Sequence, residues 1–502
     1  MKKFGYWSFS LIVLFCWVNI AHAKTLNVVC FGADVPGITS LDQSFDPDSY
    51  TVITQIFDSL VHLDLDGKRI PGLATSWKLV YDKTYEFDLR KGVKFHNGED
   101  FDASAVKFTY EKVADPAAKT GNAWILNTIQ EVKIVDPYKV QIKLKQPDGM
   151  FLFRLSMFGS IAPPKYIQQV GMDGFNKKPV GTGPFKFVEW EKGKKIVLEK
   201  NPNYWQAGMP SVDQLIFDII PADQSVDALL SGKVDLVTNI NPKDMEKINA
   251  NPKYKTMKRL VLQGYWVMLK NKGPLANVTV RKALNYAVNK DNLIKVQGGG
   301  LGLPLASLGK KGELGKNNEI TPYPYDVAKA KSLLAEAGYA NGFTIKALSI
   351  KEAAPLSQAI VDDLAKIGVK VDMELVSRPE WAKRVVVARM QGNPYPGDMT
   401  INLVDNPIVD LDFHAGLFLA SSSPWSLIND PEYDKKFTWS LLVPSLGEHL
   451  AALQQVDKYI HDNAMMIFTF QPERVFGLKK EITIPNIGLT GHDDYFVFSQ
   501  AN

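Results

Sequence analysis

A helix that ends at a glycine and passes directly into a strand is the feature that most constrains the fold of this chain. Residues 355–367 place apolar side chains on one helical face, Gly368 ends the helix, and residues 369–375 alternate as a strand does. Residues 224–231, Gly232 and residues 234–239 repeat this pattern. Because roughly 130 residues separate the two units, the sequence predicts an α/β protein with two lobes, each built on its own sheet.

The part of the sequence before residue 222 is rich in strand patterns. Residues 25–31 indicate a first strand, and residues 85–89, 132–144 and 194–199 alternate like strands of an antiparallel sheet. Residues 25–222 are therefore expected to be rich in strands.

The first 23 residues have the composition of a cleaved secretory signal peptide. Two lysines precede an apolar stretch at residues 7–20, and residues 21–23 (AHA) supply the small side chains that a signal peptidase requires. The stretch is shorter than the roughly 20 residues of a membrane-spanning helix. Cys16 follows a phenylalanine, which disfavours lipid attachment. We therefore expect a mature chain that begins near Lys24, outside the cytoplasm.

The composition is that of an ordinary globular protein, with 45% apolar and 22% charged residues. The formal net charge is only +4, and the leader carries two of those positive charges. So small a charge gives no sign of a nucleic acid partner or an anionic membrane. Cys30 is the one cysteine left after cleavage, so packing must hold the fold together without an internal disulfide.

Sequence motifs of catalysis and of cofactor binding are missing. The chain contains no GxSxG, HExxH or CxxC motif and no phosphate loop ending in GK[ST]. The glycine-rich stretches at residues 181–184 and 298–302 complete no dinucleotide fingerprint and predict turns. No two histidines stand at the i, i+4 spacing of a helical metal site. We therefore expect no enzyme activity, no cofactor and no metal site.

A series of short stretches follows a fixed order through nearly the whole mature sequence. They are TSLD at 39–42, QIFDSLV at 55–61, PGLATSW at 71–77, YEFDLRKGVKFHNG at 85–98, FDASAV at 101–106, GTGPF at 181–185, NPNYW at 201–205 and VRKALNYAVNK at 280–290. Together they resemble the bacterial extracellular solute-binding proteins of family 5, which serve ABC importers for dipeptides, oligopeptides and nickel chelates. So many stretches in one order make the resemblance specific.

Most of these stretches are expected to build the scaffold rather than to contact a ligand. The Asn-Gly pair at residues 97–98 suits a tight turn, and His96 is expected to support that turn. Residues 280–287 predict a helix that faces the core, with Arg281, Lys282 and Lys290 on its wetter side.

The resemblance implies a two-lobe periplasmic binding protein of type II, similar to cluster C, with mixed sheets, a hinge and an extra strand-rich subdomain in lobe I. Residues 1–23 would be the signal peptide. The mature chain divides into lobe I (24–265, with the subdomain near 71–179), lobe II (266–469) and a return to lobe I (470–502).

The implied function is capture of a peptide or peptide-like small molecule between the lobes. The protein would be a periplasmic monomer that delivers this ligand to an ABC permease in the inner membrane and binds no nucleic acid. A metal chelate or haem on the same scaffold is the alternative, and a secreted enzyme is less favoured.

The resemblance also implies ligand-binding residues. Tyr265 and Trp266 fall near the hinge, although ordinary strand packing would also explain them. Trp381 matches an aromatic position that faces the ligand in peptide binders, with core packing as the alternative. Asp405, which precedes the acidic residues 410–412, is expected to hold a ligand amine unless it is a solvated loop carboxylate.

Two departures from the family pattern weaken the case for a strict dipeptide site. Residues 401–404 (INLV) stand where a tryptophan usually precedes the aspartate. Lys351 lies near the position of the arginine that pairs with a peptide carboxylate, and it offers a point charge instead of a bidentate guanidinium. His414, beside the acidic residues, keeps the chelate or haem alternative open.

Overall fold

The computed structural model describes residues 24–41, 47–64, 68–81, 83–115, 117, 126–406, 408–443, 445–484 and 500–501. The predicted signal peptide at residues 1–23 lies outside the described residues, as does the end of the TSLD stretch. None of the helices within the described ranges combines the length and apolar character that crossing a bilayer demands.

The strands form three larger sheets and two small ones. In chain order they are β1 (Thr25–Val29), β2 (Val61–Leu63), β3 (Arg69–Pro71), β4 (Ala74–Tyr81), β5 (Thr84–Leu89), β6 (Ile129–Asp136), β7 (Lys139–Leu144), β8 (Phe185–Glu191), β9 (Lys195–Lys200), β10 (Gln214–Asp218), β11 (Leu236–Ile240), β12 (Tyr254–Leu260), β13 (Gln263–Leu269), β14 (Gly302–Pro304), β15 (Phe343–Ile350), β16 (Val369–Val376), β17 (Met399–Asp405), β18 (Met466–Ile467), β19 (Phe470–Lys479), β20 (Ile482–Thr483) and β21 (Gln500–Ala501).

Helices cover the faces of the two largest sheets. In chain order they are α1 (Pro47–Ile56), α2 (Ala103–Ala114), α3 (Phe151–Phe158), α4 (Pro164–Lys177), α5 (Ala222–Leu230), α6 (Met245–Asn249), α7 (Val278–Ala287), α8 (Lys290–Gln297), α9 (Val327–Glu336), α10 (Ala354–Ala365), α11 (Arg378–Ala382), α12 (Ala388–Met390), α13 (Leu411–Leu419), α14 (Pro431–Leu442) and α15 (Leu446–Asp462). A π-helical turn (Lys383–Val387) joins α11 to α12.

Both of the largest sheets mix parallel and antiparallel pairs. The first has the order β12-β19-β11-β1-β10-β9-β8, with β14 paired to β19, and β1 runs parallel to β10 and β11. The second has the order β16-β15-β17-β13-β18, and β15 runs parallel to both of its neighbours. A third, antiparallel sheet has the order β4-β5-β7-β6.

Buried apolar side chains form a separate large core around each of the two largest sheets. The core of the first sheet is continuous with that of the third sheet and includes Leu26 and Phe87. The core of the second sheet includes Val267 and Leu348. The predicted α/β fold with two sheet-based lobes and mixed sheets is therefore confirmed.

The helix-glycine-strand unit predicted at residues 355–375 is also confirmed. Helix α10 buries Leu356, Ile360 and Leu364, and β16 follows it after Gly368, whose φ is +83°. A side chain at the neighbouring Gly342 would lie 1.8 Å from the Gly368 carbonyl oxygen. This turn therefore needs glycine both for its left-handed backbone and for the close approach of two chain segments.

The chain crosses between the two largest sheets through short connections. Strand β12 ends three residues before β13 begins, and β18 ends three residues before β19 begins. The Gln471 side chain, at the start of β19, donates to the Val261 carbonyl at 3.2 Å and so holds the two crossings side by side. Connections this short and this close together suit a hinge. The domain boundaries expected at residues 265 and 469 stay predictions, and β13 of the second sheet begins at Gln263.

Helix α7 faces the core as predicted, but two cations that were placed on its wet side are buried. Arg281 is 8% exposed and Lys290 is 5% exposed. Arg281 donates to the carbonyl oxygens of residues 275, 276, 463 and 464, and Lys290 to those of residues 285 and 323. The prediction was wrong because helical periodicity does not reveal backbone carbonyls that reach the helix from elsewhere in the chain.

Candidate functional site

Three parallel strands of the second sheet end at one edge. Lys351 directly follows β15, Arg378 comes two residues after β16, and Asp405 is the last residue of β17. Strand β13 runs the opposite way, so its first residues, including Tyr265, lie at the same edge. We call these four residues the carboxyl edge. Open α/β sheets bind their ligands at the carboxyl ends of parallel strands, which makes this edge the candidate binding site.

Tyr265 presents a half-buried phenol at the carboxyl edge. Its hydroxyl accepts a hydrogen bond from the Gln297 side chain at 2.9 Å, and its ring stacks on Phe470 with centroids 5.5 Å apart. Burial raises the pKa of Tyr265, while the charges of Arg378 and Glu352 shift that pKa in opposite directions. The phenol is therefore neutral at physiological pH and can donate a hydrogen bond to a ligand.

Arg378 is a site candidate that the sequence analysis missed. Its side chain is exposed, and its Nη1 donates to the Leu403 carbonyl oxygen at 2.8 Å, which anchors one side of the guanidinium. Lys351 is also exposed and begins a 3-10 turn, Lys351–Ala353. The carboxyl edge thus carries two cations in solvent. The available signal for Arg378 was its position just beyond a predicted parallel strand.

Asp405 is 8% exposed, so it is not the solvated loop carboxylate that was weighed as its alternative. Its main chain pairs with Gln263 of β13, and its carbonyl oxygen accepts from His414 Nε2 at 2.9 Å. Its negative charge acts on the buried Lys310 and raises the pKa of that amine, although burial lowers it by more. The predicted contact with a ligand amine stays a prediction.

A buried polar group lies behind Asp405. His414 is fully buried, with Nδ1 3.0 Å from Lys310 Nζ, and Lys310 lies 2.8 Å from Glu313. Burial holds the pKa of His414 well below its usual range, and the neighbouring Lys310 lowers it further. A neutral His414 accepts from Lys310 through Nδ1 and donates to Asp405 through Nε2. Both ring nitrogens are therefore already engaged.

The two predicted tryptophans are core residues in this structure. Trp266 is 2% exposed, donates to the Val404 carbonyl at 3.1 Å and lies 4.8 Å from the His414 ring. Trp381 is fully buried, with its ring 5.3 Å from that of Trp425. The Trp381 indole N–H has no hydrogen-bond partner among the described residues. Whether either ring contacts a ligand stays a prediction.

Three of the stretches that carry the family resemblance meet at one buried carboxylate, Asp58. Its oxygens accept hydrogen bonds from Thr182 at 2.9 Å, Tyr204 at 3.0 Å and Trp205 at 3.1 Å. His62 Nε2 lies 3.4 Å from the same carboxylate. We call this arrangement the Asp58 network. It connects the QIFDSLV, GTGPF and NPNYW stretches and shows that they share a structural role.

His96 was expected to support the Asn-Gly turn at residues 97–98, but its ring instead bonds the glycine turn at residues 181–183. Its Nδ1 accepts from the Gly181 N–H at 3.3 Å and its Nε2 donates to the Gly183 carbonyl at 3.0 Å. A side chain at Gly181 would lie 2.1 Å from the Ile56 carbonyl oxygen, so this turn needs glycine for close approach to α1.

A separate depression of about 500 Å³ lies on the third sheet. Its lining consists of the strand and turn residues Tyr81, Lys83, Thr84, Glu131, Lys133, Gln141 and Lys143. They belong to the solvated side of the sheet, because the alternate positions in β5 and β7 are buried. We assign no ligand to it.

Comparison with known proteins identifies the family. Residues 68–407 match the family described as bacterial extracellular solute-binding proteins, family 5 Middle. The glutathione-binding protein GsiB of Pectobacterium atrosepticum is 34% identical over 357 residues, which is 69% of each chain. Heme-binding protein A of Haemophilus influenzae is 30% identical over 447 residues, covering 82% of this chain and 81% of its own.

A solved structure extends the likeness to almost the full length. The periplasmic binding protein DppA of Helicobacter pylori, in complex with the peptide STSA, superposes with a TM-score of 0.80 and 28% identity, covering 95% of this chain and 98% of its own. The predicted type II periplasmic binding protein fold is thereby confirmed. The chain belongs to the bacterial extracellular solute-binding proteins of family 5.

Proposed function

We propose that this protein is the periplasmic binding component of an ABC importer and that it holds a small peptide or peptide-like zwitterion at the carboxyl edge. The observation that carries the proposal is the placement of two exposed cations, one carboxylate and one half-buried phenol at the edge where three parallel strands of the second, mixed sheet end. A zwitterionic ligand has complementary charges and an apolar body between them.

The side chains at the carboxyl edge suit such a ligand chemically. A guanidinium can pair with a carboxylate through two parallel hydrogen bonds, so Arg378 takes the ligand carboxylate, with Lys351 adding charge. Asp405 takes the ligand amine through a charge-assisted hydrogen bond. The Tyr265 ring covers apolar parts of the ligand and its hydroxyl donates to a carbonyl.

The paired connections between the sheets supply the mechanism of capture. A ligand that touches both lobes stabilises the closed form by the difference between its affinities for the closed and open forms. The permease then recognises the closed form and the ligand leaves unaltered. The relatives named above are solute-binding proteins and not enzymes, which supports a role without chemistry.

The periplasm and a monomeric state are part of this proposal. The composition of residues 1–23 and the membership of family 5 support export through a cleaved signal peptide. A haem or metal chelate remains the alternative cargo, since one relative is a heme-binding protein. His414, the residue that kept this alternative open, has both ring nitrogens engaged inside the protein, and this favours the peptide-like ligand.

The cargo can be tested by mass spectrometry of the ligand that copurifies with the protein, followed by calorimetric titration with that compound. We expect a compound with both a free amine and a carboxylate. Arg378→Ala should weaken its binding about 10-fold to 100-fold, since hydrogen bonds to charged groups contribute about 1.5–3 kcal/mol. Arg384→Ala is the matched control, because Arg384 pairs with Glu374 instead.

The role of Asp405 can be separated by capping the ligand. Asp405→Asn should weaken binding of the compound that has a free amine. The N-acetylated compound should bind the wild-type protein less tightly, and its affinity should be the same for wild type and Asp405→Asn. Copurified haem or metal chelate, or equal affinities of the Arg378→Ala and Arg384→Ala variants, would contradict the proposal.

A further inference from the structure

Three buried side chains from two helical segments converge where the two cores meet. Asp410 and Asp412 stand at the start of α13, and His449 lies in the first turn of α15. Asp410 and His449 are fully buried and Asp412 is 3% exposed. One ligand atom from each of the three side chains lies within 4.8 Å of the other two.

Each of these residues is already held by a second contact. Asp410 Oδ1 accepts from the Asp412 N–H at 2.9 Å, and Asp412 Oδ2 accepts from Arg154 Nη2 at 3.2 Å. His449 Nδ1 donates to the Ser440 carbonyl at 2.7 Å. The remaining atoms, Asp410 Oδ2, Asp412 Oδ1 and His449 Nε2, have no hydrogen-bond partner among the described residues. The contacts above therefore hold the three side chains in place and leave these atoms available to a ligand.

The arrangement of His449 is the one that metal-binding histidines adopt. Such a histidine donates one ring N–H to a carbonyl, which fixes the tautomer and leaves the lone pair of the other nitrogen for the metal. His449 Nε2 lies 3.4 Å from Asp410 Oδ2, and neither atom makes a hydrogen bond among the described residues. A divalent cation between the two atoms would give both of them a partner, in place of a proton on His449.

Three buried carboxylates surround the cluster. Arg154 is shared between Asp412 and Asp148, whose carboxylate accepts from Nη1 at 2.5 Å. Asp410 lies beside His449 instead. Buried carboxylates are costly unless they are paired or coordinate a metal, and a divalent cation suits such a group.

We propose that Asp410, Asp412 and His449 bind a divalent transition metal ion, Zn²⁺ being the best fit. Zinc accepts imidazole nitrogen and carboxylate oxygen at about 2.0–2.2 Å, which places two tetrahedral ligands about 3.4 Å apart. The pair formed by His449 Nε2 and Asp410 Oδ2 has this separation, and the Asp412 carboxylate, within 4.8 Å of both, would supply the third ligand. Water completes the coordination.

The ion would stabilise the contact between the two cores and is not the imported cargo. Arg154 belongs to α3 of the first core, whereas α13 and α15 belong to the second. Gly149, which precedes α3, also packs against the site, because a side chain at this position would lie 3.4 Å from the His449 ring. The metal site uses none of the four carboxyl-edge residues, so it stands or falls independently of the proposed cargo.

The first experiment uses wild-type protein stripped with a chelator and then given Zn²⁺ alone. We expect one tightly held ion per chain by elemental analysis and a rise in the midpoint of thermal unfolding of about 5 °C at saturating metal. His449→Gln and Asp410→Asn should abolish both effects. His461→Gln is the matched control and should keep both, because His461 lies at the other end of α15.

The second experiment does not depend on folded variants. Crystals of wild-type protein grown with Zn²⁺ should show one anomalous-scattering peak bonded to His449 Nε2 and to both aspartates. Absence of that peak, with His449 instead protonated and hydrogen-bonded to Asp410, would overturn the proposal. Zn²⁺ uptake that is unchanged in folded His449→Gln protein would overturn it as well.

Discussion

The Asp58 network and the carboxyl edge are both built from polar side chains, but these side chains are used in opposite ways. Asp58 is 2% exposed and receives its hydrogen bonds from side chains of the same protein. At the carboxyl edge, Arg378 and Lys351 end in solvent. The hydrogen bonds of the Asp58 network are made within the protein, whereas the charged groups of the carboxyl edge can bind a ligand.

This difference explains why the most recognisable stretches reveal the family and not the cargo. A buried carboxylate with several donors fixes residue types and spacings tightly, because any unpaired member costs stability. An exposed edge tolerates different side chains and can be adapted to different ligands. The comparison predicts that substitutions in buried groups change stability, and that substitutions of exposed edge residues change binding alone.

The largest effect is expected for Trp381→Ala, which tests whether this residue stabilises the core or contacts the ligand. Its ring is fully buried against Trp425, so truncation should lower the free energy of unfolding by about 3–5 kcal/mol. Urea unfolding followed by circular dichroism measures this. Trp439→Ala is the control, because Trp439 is 65% exposed and should change stability by less than about 0.5 kcal/mol. Unchanged stability with weakened ligand binding would instead place Trp381 at the ligand surface.

Asp58→Ala should lower the free energy of unfolding by about 2–4 kcal/mol, because it leaves the buried donors of Thr182 and Trp205 unpaired. The same urea titration measures it. Asp173→Ala, at an exposed position of α4, is the matched control and should have almost no effect. If the Asp58 variant were as stable as this control, the network would not be the structural element described here.

The elements that the sequence predicted are those whose cause is local. Helix α10 and strand β16 follow from side-chain periodicity and from the glycine between them, and the turn at His96 follows from an Asn-Gly pair. Asp405, which the family resemblance indicated, also lies at the carboxyl edge.

What could not be predicted depends on contacts between distant parts of the chain. Lys310 lies near Asp405 and His414 only in the folded protein, so no sequence pattern indicated that His414 is engaged. Arg378 follows an ordinary strand and becomes notable only because β15 and β17 end beside it. Asp410 and His449 lie on different helices, so a search for helical metal spacing could not find them.

Lowering the pH should reduce the free energy of unfolding through protonation of His96. Burial lowers the pKa of His96 to about 4, and the nearby Lys186 lowers it too, while the hydrogen bond to Gly183 opposes these effects. The unfolded chain, with a pKa near 6.5, binds the proton first. Stability is therefore retained above about pH 6.5 and lost as the pH falls toward 4.

The expected loss through His96 is about 2 kcal/mol between pH 7 and pH 4.5, allowing for its partial exposure to solvent. Urea unfolding at both pH values should show that His96→Asn loses less stability on acidification than the wild-type protein. His461→Asn is the control for removing a histidine. Parallel pH dependence in wild type and His96→Asn would show that His96 is protonated equally in the folded and unfolded states.

The smallest effect is expected for Lys351→Ala, which tests how much each of the two cations of the carboxyl edge contributes to ligand affinity. Lys351 is a flexible point charge in solvent, so its removal should weaken binding of the copurified ligand only about 2-fold to 3-fold, and less at high salt. Arg378 is anchored on Leu403 and should matter more, because its orientation is fixed before the ligand arrives. Calorimetric titration of both variants at two salt concentrations separates these roles. A loss in Lys351→Ala as large as that in Arg378→Ala would make Lys351 the carboxylate anchor, and the ligand would then lie nearer β15 than β16.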